Sequence, residues 1–182
     1  MAVWTLLAHD SLSLPASSVT WSSIPTDGTY DHLCIKTSAR SDYSGYYDQF
    51  ALRFNGDSTA KYSSTYLYAH SATEGSSRNT SAGQADNQYG LTAASVLADT
   101  FGTAVWWIPN YANTTGFKQF FQRGVNPNNT TTDNQWFVGL NASLYESTSA
   151  ISSIYLAPTR GGVAADDFIA HSTFDLYGIQ GA

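Results

Sequence analysis

Few residues in this sequence have the types and spacing of a catalytic site. Gly56-Asp57-Ser58 is the nearest to a nucleophile motif, but it lacks the second glycine of G-x-S-x-G and lies in the turn predicted at Asn55-Gly56. The four histidines lie far apart and show none of the short spacings that bind zinc. We therefore predict no catalytic, cofactor-binding or metal-binding residue, no cofactor and no enzymatic activity.

Two other kinds of acidic site stay open as alternatives. Asp166-Asp167 follows Gly161-Gly162, and carboxylate and carbonyl oxygens are the ligands that Ca²⁺ takes. No EF-hand spacing accompanies the pair, so a solvated loop is the favoured interpretation. A depolymerising glycosidase would need two carboxylates at a defined separation in space, and the 14 acidic residues give no way to choose a pair.

Tyrosine is the most informative residue type in the chain. Half-exposed aromatic side chains are typical of surfaces that pack against a protein partner or stack on sugar rings. The alternative is that tyrosines pack at the rim of a sheet, where they are common. We predict an interface formed by five tyrosines, namely Tyr46, Tyr47, Tyr62, Tyr66 and Tyr68.

Composition and charge narrow the class of protein and partner. Only 12% of the 182 residues are charged, about half the usual share of roughly 25%, and 14% are aromatic. The net charge is −6 and the 8 basic residues form no run, which argues against nucleic acid or an anionic membrane as partner. The amino terminus has no basic segment followed by a long apolar one, so we predict no signal peptide.

Alternating side chains predict strands along most of the chain. Phe50, Leu52 and Phe54 share one parity, the turn signal Asn55-Gly56 follows, and a second strand runs from Tyr62 to His70, so we predict a hairpin. Cys34 lies in another strand pattern between apolar neighbours. We predict a buried thiol there, and a single cysteine excludes an intrachain disulfide.

The clearest alternation lies between Gln135 and Tyr145. Five residues of one parity, Trp136, Val138, Leu140, Ala142 and Leu144, are predicted to form the buried face of a strand. The polar segment from Ser71 to Tyr89 is predicted to be a long loop, and Leu91 to Ala98 a short helical turn. Nine or ten short strands joined by turn residues predict an all-β chain, an antiparallel sandwich or barrel, with one domain over residues 1–182.

Six short blocks occur in an order that resembles a widespread group of tailed-bacteriophage virion proteins. In sequence order they are ASSVTWSSIP, SARS, LRFNGD, IPNY, AISSI and LYGI. The resemblance covers nearly the whole chain. It implies a non-enzymatic β-sandwich, jelly-roll-like, on the outside of a phage particle, made in the host cytoplasm and located in the virion.

The expected function is that of a virion structural protein. The leading hypothesis is a capsid decoration or cement protein that assembles as a homotrimer on the head and contacts the major capsid protein or other virion proteins. The alternative is a tail- or fibre-attached receptor-binding or carbohydrate-binding module, since tyrosines and tryptophans near polar loops could stack on host glycans. Neither hypothesis involves nucleic acid or a membrane.

Overall fold

The part of the chain that the computed structural model describes is built of strands, over residues 2–70, 73–126, 128, 136–160 and 166–181. These residues contain no helix, and hence none that could cross a membrane. The strands are β1 (Val3–Ser11), β2 (Val19–Trp21), β3 (His32–Ala39), β4 (Tyr47–Phe54), β5 (Tyr62–His70), β6 (Thr73–Ala82), β7 (Ala85–Thr92), β8 (Gly102–Pro109), β9 (Lys118–Asn126), β10 (Phe137–Tyr145), β11 (Ile154–Pro158) and β12 (Thr173–Gln180).

The strands form two sheets that face each other across one core. Eight of them lie in the order β1-β12-β3-β8-β9-β10-β5-β6, and four in the order β2-β11-β4-β7. Phe50 of the smaller sheet meets Trp106 of the larger with ring centroids 5.0 Å apart, and Phe54 meets Phe120 at 5.1 Å. The predicted antiparallel β-sandwich is confirmed, whereas jelly-roll connectivity stays a prediction.

The Asn-Gly turn joins the two sheets and does not close a hairpin. Asn55 and Gly56 have φ values of 54° and 67°, and Asp57 N donates to Phe54 O at 2.9 Å, so the predicted turn is confirmed. β4, however, pairs with β11 and β7, while β5 pairs with β10 and β6. The predicted hairpin is wrong because the residues after the turn carry the chain across the core to the larger sheet.

The carboxylate of Asp57 holds the segment between β4 and β5 in place. Asp57 accepts hydrogen bonds from Thr59 N at 2.9 Å, Lys61 Nζ at 3.0 Å and Tyr145 Oη at 3.0 Å. The Thr59 hydroxyl also donates to Asp57. This bond has the largest effect, and together with the other three it holds the pKa of Asp57 well below its usual range. The residue that resembled part of a nucleophile motif therefore has a structural role in the described fold.

The segment from Ser71 to Tyr89 is mainly strand, and the predicted loop is wrong. Ser71 and Ala72 lie outside the described residues, but β6 and most of β7 fill the remainder. β6 is polar because it is the edge strand of the larger sheet and is largely exposed on both faces, so periodicity gave no signal.

The predicted helical turn after Leu91 is also absent. Residues 93–101 form an irregular loop around the guanidinium of Arg40, which donates to the carbonyl oxygens of Leu97 at 2.8 Å and Ala94 at 2.9 Å. Arg40 is 8% exposed and also reaches Val96 O at 3.3 Å. A buried cation that satisfies several carbonyls explains why this loop needs no helix.

The parity predicted to be buried in β10 faces solvent. Val138 and Leu140 are 44% and 48% exposed, whereas Phe137, Asn141 and Tyr145 are buried. The prediction of a core face through Val138 and Leu140 is therefore wrong, and Trp136, just before the strand, is exposed as well. Elsewhere the expected burial is confirmed at Phe50, Leu52, Phe54 and Cys34. Phe174 and Leu176, which alternate in β12, are buried as well.

The close approach of β7 explains the reversed parity. β7 is an edge strand of the smaller sheet and packs against the inner face of β9 and β10. A Cβ atom at Gly124 would collide with the carbonyl oxygen of Tyr89, and one at Gly139 would collide with the Tyr89 ring. Where β7 crosses these strands, large apolar side chains do not fit, so glycines and amides occupy the inner side there. Buried aromatic residues occupy it beyond the crossing, at Phe120, Phe137 and Tyr145.

Amide side chains complete the hydrogen bonding of this edge strand. Gln122 Oε1 accepts from Tyr89 N at 3.2 Å and Asn126 Oδ1 accepts from Gly90 N at 3.0 Å. The amide nitrogens of the same two side chains donate to Tyr89 O and Leu91 O. Buried backbone groups need partners, and here the neighbouring sheet supplies them through side chains that must point inward.

Candidate interaction surfaces

Five apolar side chains form a continuous exposed patch on the larger sheet, which we call the outer apolar face. Val138 lies opposite Val125 in the register of β10 and β9, and Leu140 lies opposite Leu67 in that of β10 and β5. Their exposed fractions run from 44% to 56%. The members of the outer apolar face are Leu67, Phe121, Val125, Val138 and Leu140.

An aromatic group extends this face toward β1. Trp4 lies 5.9 Å from Trp107 and 5.8 Å from Tyr177 between ring centroids. The ammonium group of Lys36 is 4.9 Å from the centroids of both Trp4 and Tyr177, a cation–π arrangement. Trp107 is the register partner of Phe121, so the two patches adjoin.

A shallow groove of about 530 Å³ lies on the same side of the sheet, at the start of β9 and the end of β10. Phe121, Ala142 and Leu144 supply apolar lining, and Arg78 and Gln119 supply polar groups at its border. The groove makes the outer apolar face concave at this end. A partner with protruding apolar side chains would therefore bury more area here than on a flat sheet.

A second aromatic group, which we call the tyrosine cluster, lies on the opposite side of the larger sheet. It comprises Tyr47, Tyr66, Tyr68, His70, Tyr89 and Phe137. Tyr89 and Phe137 are buried and stack with centroids 4.1 Å apart. Tyr66, Tyr68 and His70 of β5 are half-buried, because the smaller sheet is narrower and β5 lies toward the edge of the larger one.

The five tyrosines predicted as an interface occupy three different environments. Tyr47, Tyr66 and Tyr68 meet in the tyrosine cluster, and Tyr46 is half-buried nearby in sequence. Tyr62 is only 1% exposed, stacks on Tyr145 at 4.7 Å, and its hydroxyl accepts from Phe54 N at 2.9 Å. Tyr62 belongs to the core, and the interface role of the other four stays a prediction.

The main chain beside the acidic residues considered for calcium is hydrogen-bonded to Asp42. Asp167 N donates to Asp42 Oδ1 at 2.8 Å, and Asp42 N donates to Asp167 O at 3.0 Å. Burial, with Asp42 and Asp167 nearby, raises the pKa of Asp166. Within the described ranges no three histidine, cysteine or acidic side chains are placed to hold a metal ion, and Gly161-Gly162 lies outside those ranges.

The sequence carries a signal for the outer apolar face, although alternation alone misses it. In β9 and β10 the parity opposite the aliphatic residues holds Gly124, Gly139 and the amides Gln122, Asn126 and Asn141. Glycine in the interior of a strand marks a place where another backbone can approach closely. Two aromatic residues of the same parity, Phe137 and Tyr145, also indicate that this side points inward.

Comparison with known proteins yields no matching family model and no matching curated protein.

Proposed function

We propose that this chain is a structural protein of a tailed-bacteriophage virion that binds neighbouring virion subunits through its outer apolar face. The observation that carries the proposal is the outward direction of the apolar parity of β9 and β10. Contiguous exposed apolar patches of this kind mark protein–protein interaction sites on soluble proteins. The resemblance of the sequence blocks to phage virion proteins supplies the setting.

The more specific form of the proposal is a capsid decoration protein that assembles as a homotrimer on the head and contacts the major capsid protein. Virion proteins repeat in closed symmetric groups, so a sheet face that binds a second copy in a rotationally related position suits this role. In this proposal the chain binds and does not catalyse. The outer apolar face contacts either a second copy or the capsid subunit beneath.

The charges of the outer face support binding with defined orientation. Arg123 is the register partner of Leu140, and its side chain lies on the outer face between aliphatic neighbours. Lys36 is similarly placed between aromatic rings. Burial of the mainly apolar centre would supply the binding free energy. The few cations at fixed positions would set the orientation of the partner.

Light scattering at micromolar concentration tests the proposal. We expect a trimer for the wild type and a monomer for Leu140→Lys, because Lys places a charge at the centre of the interface. Leu140 is already half-exposed, so the melting temperature of the monomer should change little. Thr20→Lys, on an exposed position of β2 in the smaller sheet, is the matched control and should stay trimeric.

A monomeric wild type directs the test to the capsid partner. Wild type, Leu140→Lys and Thr20→Lys are then sedimented with shells assembled from the major capsid protein encoded by the same phage genome. Binding by wild type and Thr20→Lys alone supports the proposal. A monomer that does not bind shells, or equal assembly of all three proteins, contradicts it.

A further inference from the structure

The tyrosine cluster is a separate site that the proposed assembly role does not use. Ring centroids of Tyr68 and Phe137 are 5.7 Å apart, those of His70 and Phe137 5.5 Å, and those of Tyr47 and Phe137 4.6 Å. Tyr66 joins the group through an edge contact with Tyr89 at 5.8 Å. Residues of β4, β5, β7 and β10 thus bring six rings into one group.

Four tyrosines lie close together in the cluster. The ring centroid of Tyr89 is 5.8 Å from that of Tyr66 and 6.2 Å from that of Tyr68, and Tyr47 and Tyr89 both contact the Phe137 ring. Burial raises the pKa of Tyr89, and the nearby Tyr66, Tyr47 and Tyr68 raise it further. Tyr47, Tyr66, Tyr68 and His70 are half-buried, so part of each of these side chains stays accessible to solvent.

The site has a rigid base and an open side. Phe137 and Tyr89 are both 3% exposed and stack closely, which fixes the rings above them. Tyr68 lies over Gly75 of β6, where a Cβ atom would be only 2.7 Å from the Tyr68 hydroxyl oxygen. The edge strand therefore adds no side chain over this ring, and the half-buried tyrosines keep an accessible surface.

The charged group beside the cluster is already engaged. The guanidinium of Arg160 lies 4.3 Å from the Tyr47 ring centroid and 5.3 Å from that of Tyr43. Arg160 Nη1 also donates to Tyr47 O at 3.1 Å. The polar side-chain groups that the cluster itself contains are phenol hydroxyls and an imidazole, which suit a neutral ligand better than an anion.

We propose that the tyrosine cluster binds a neutral pyranose saccharide. Such a sugar combines apolar C–H faces with hydroxyls that both donate and accept, and aromatic rings that carry phenol groups match both features. An aliphatic protein segment would leave unpaired any phenol hydroxyl that it covered, at a cost for every one buried. This proposal does not rest on the assembly role, since the two regions lie on opposite faces of the larger sheet.

Saturation-transfer NMR tests saccharide binding directly. The probes are free glucose, galactose, mannose, N-acetylglucosamine and fucose, each at about 10 mM, which detects millimolar dissociation constants. We expect transfer from aromatic protons to the ring protons of at least one sugar. Tyr68→Ala and Tyr66→Ala should each weaken that binding about tenfold, the effect of one lost stacking or hydrogen-bonding contact.

Two further variants separate binding from folding and from assembly. Tyr68→Phe keeps the ring over Gly75 and loses only the hydroxyl, so it should fold as the wild type does and bind about threefold to tenfold more weakly. Leu140→Lys should keep sugar binding while it loses assembly. No transfer to any of the five sugars, or transfer unchanged in Tyr66→Ala, Tyr68→Ala and Tyr68→Phe, overturns the proposal and leaves the assembly role untouched.

Discussion

The two faces of β9 and β10 differ in composition in the reverse of the usual sense, although successive residues of the same two strands form them. The inner face carries glycines and amides that fit closely against the backbone of β7. The outer face carries valine, leucine and phenylalanine that are about half-exposed. In an ordinary sandwich the polar residues would face water and the aliphatic residues the core.

The difference shows that burial and hydrophobicity are separable where one backbone packs directly on another sheet. On the inner face, amide hydrogen bonds and the close backbone packing that glycine permits stabilise the fold. The outer face contributes little to the stability of the isolated chain. Substitutions of two adjacent residues in one strand can therefore distinguish a structural face from a binding face. The two side chains lie at the same place in the sheet but point to opposite sides of it.

The largest contrast is expected between Gly124 and Val125. Gly124→Ala places a methyl group against the Tyr89 carbonyl and should destabilise the fold by about 3 kcal/mol, because backbone atoms must move. Val125→Ala removes an exposed side chain and should cost less than about 1 kcal/mol. Urea denaturation measures both. Similar losses for the two variants would contradict the assigned faces.

Removal of one amide gives the next effect. Gln122→Ala leaves the backbone N–H and C=O of Tyr89 without their side-chain partner inside the protein, which should cost about 2 kcal/mol. Its neighbour Arg123→Ala changes an exposed position and should alter stability by less than about 0.5 kcal/mol. The same denaturation experiment compares them, and a neutral Gln122→Ala would show that water can replace the amide.

A buried carboxylate makes the pH dependence of stability informative. Asp48 is fully buried, and burial raises its pKa to about 6, an effect that the hydrogen bond from Gln49 N to Asp48 Oδ1 at 2.7 Å partly offsets. The folded state then binds more protons than the unfolded state between about pH 4 and 6, so Asp48 lowers stability as pH rises through this window. Above it the penalty is constant, at up to about 3 kcal/mol.

Asp48→Asn should remove that penalty. We expect the variant to be more stable than the wild type at pH 7 and similar to it at pH 4, as measured by urea denaturation at both values. Because Asp57 titrates in the opposite sense, the quantity to compare is the difference between variant and wild type. A variant that is less stable at both values would mean that Asp48 is ionised and favourably bonded in the fold.

The smallest effect on the isolated chain is expected at the centre of the outer apolar face. Val138→Thr keeps a branched side chain on a half-exposed position, so monomer stability should change by less than about 0.5 kcal/mol. If the face binds a second copy, the same change should shift the monomer–trimer equilibrium measured by light scattering. Loss of stability comparable to that of Gly124→Ala would instead make this face structural.

Local sequence chemistry predicted much of the fold. Asn55-Gly56 predicted a turn because both residues accept positive φ, and alternation placed Phe50, Leu52 and Phe54 in the core. Low charge and frequent turn residues predicted an all-β sandwich. Cys34 was predicted to be buried because free cysteines usually are and because its strand neighbours are apolar, and it is 1% exposed.

Other features depended on which strands lie together. The turn at Asn55 leads to a second sheet, and Tyr62 is buried while Tyr66 and Tyr68 are half-exposed on the same strand, because the smaller sheet covers only part of β5. No local pattern contains the width of the opposing sheet. The tyrosine cluster likewise joins residues from four strands that are distant in sequence.

Alternation in β10 established that two unlike faces exist, since successive side chains of a strand point to opposite sides. Only the tertiary structure decided which of them is inside. The choice followed from the approach of β7, whose edge needs amide partners and leaves no volume for leucine or valine. A hydrophobic period reports the difference between two sides of a strand, and the neighbouring backbone determines which side the core can accept.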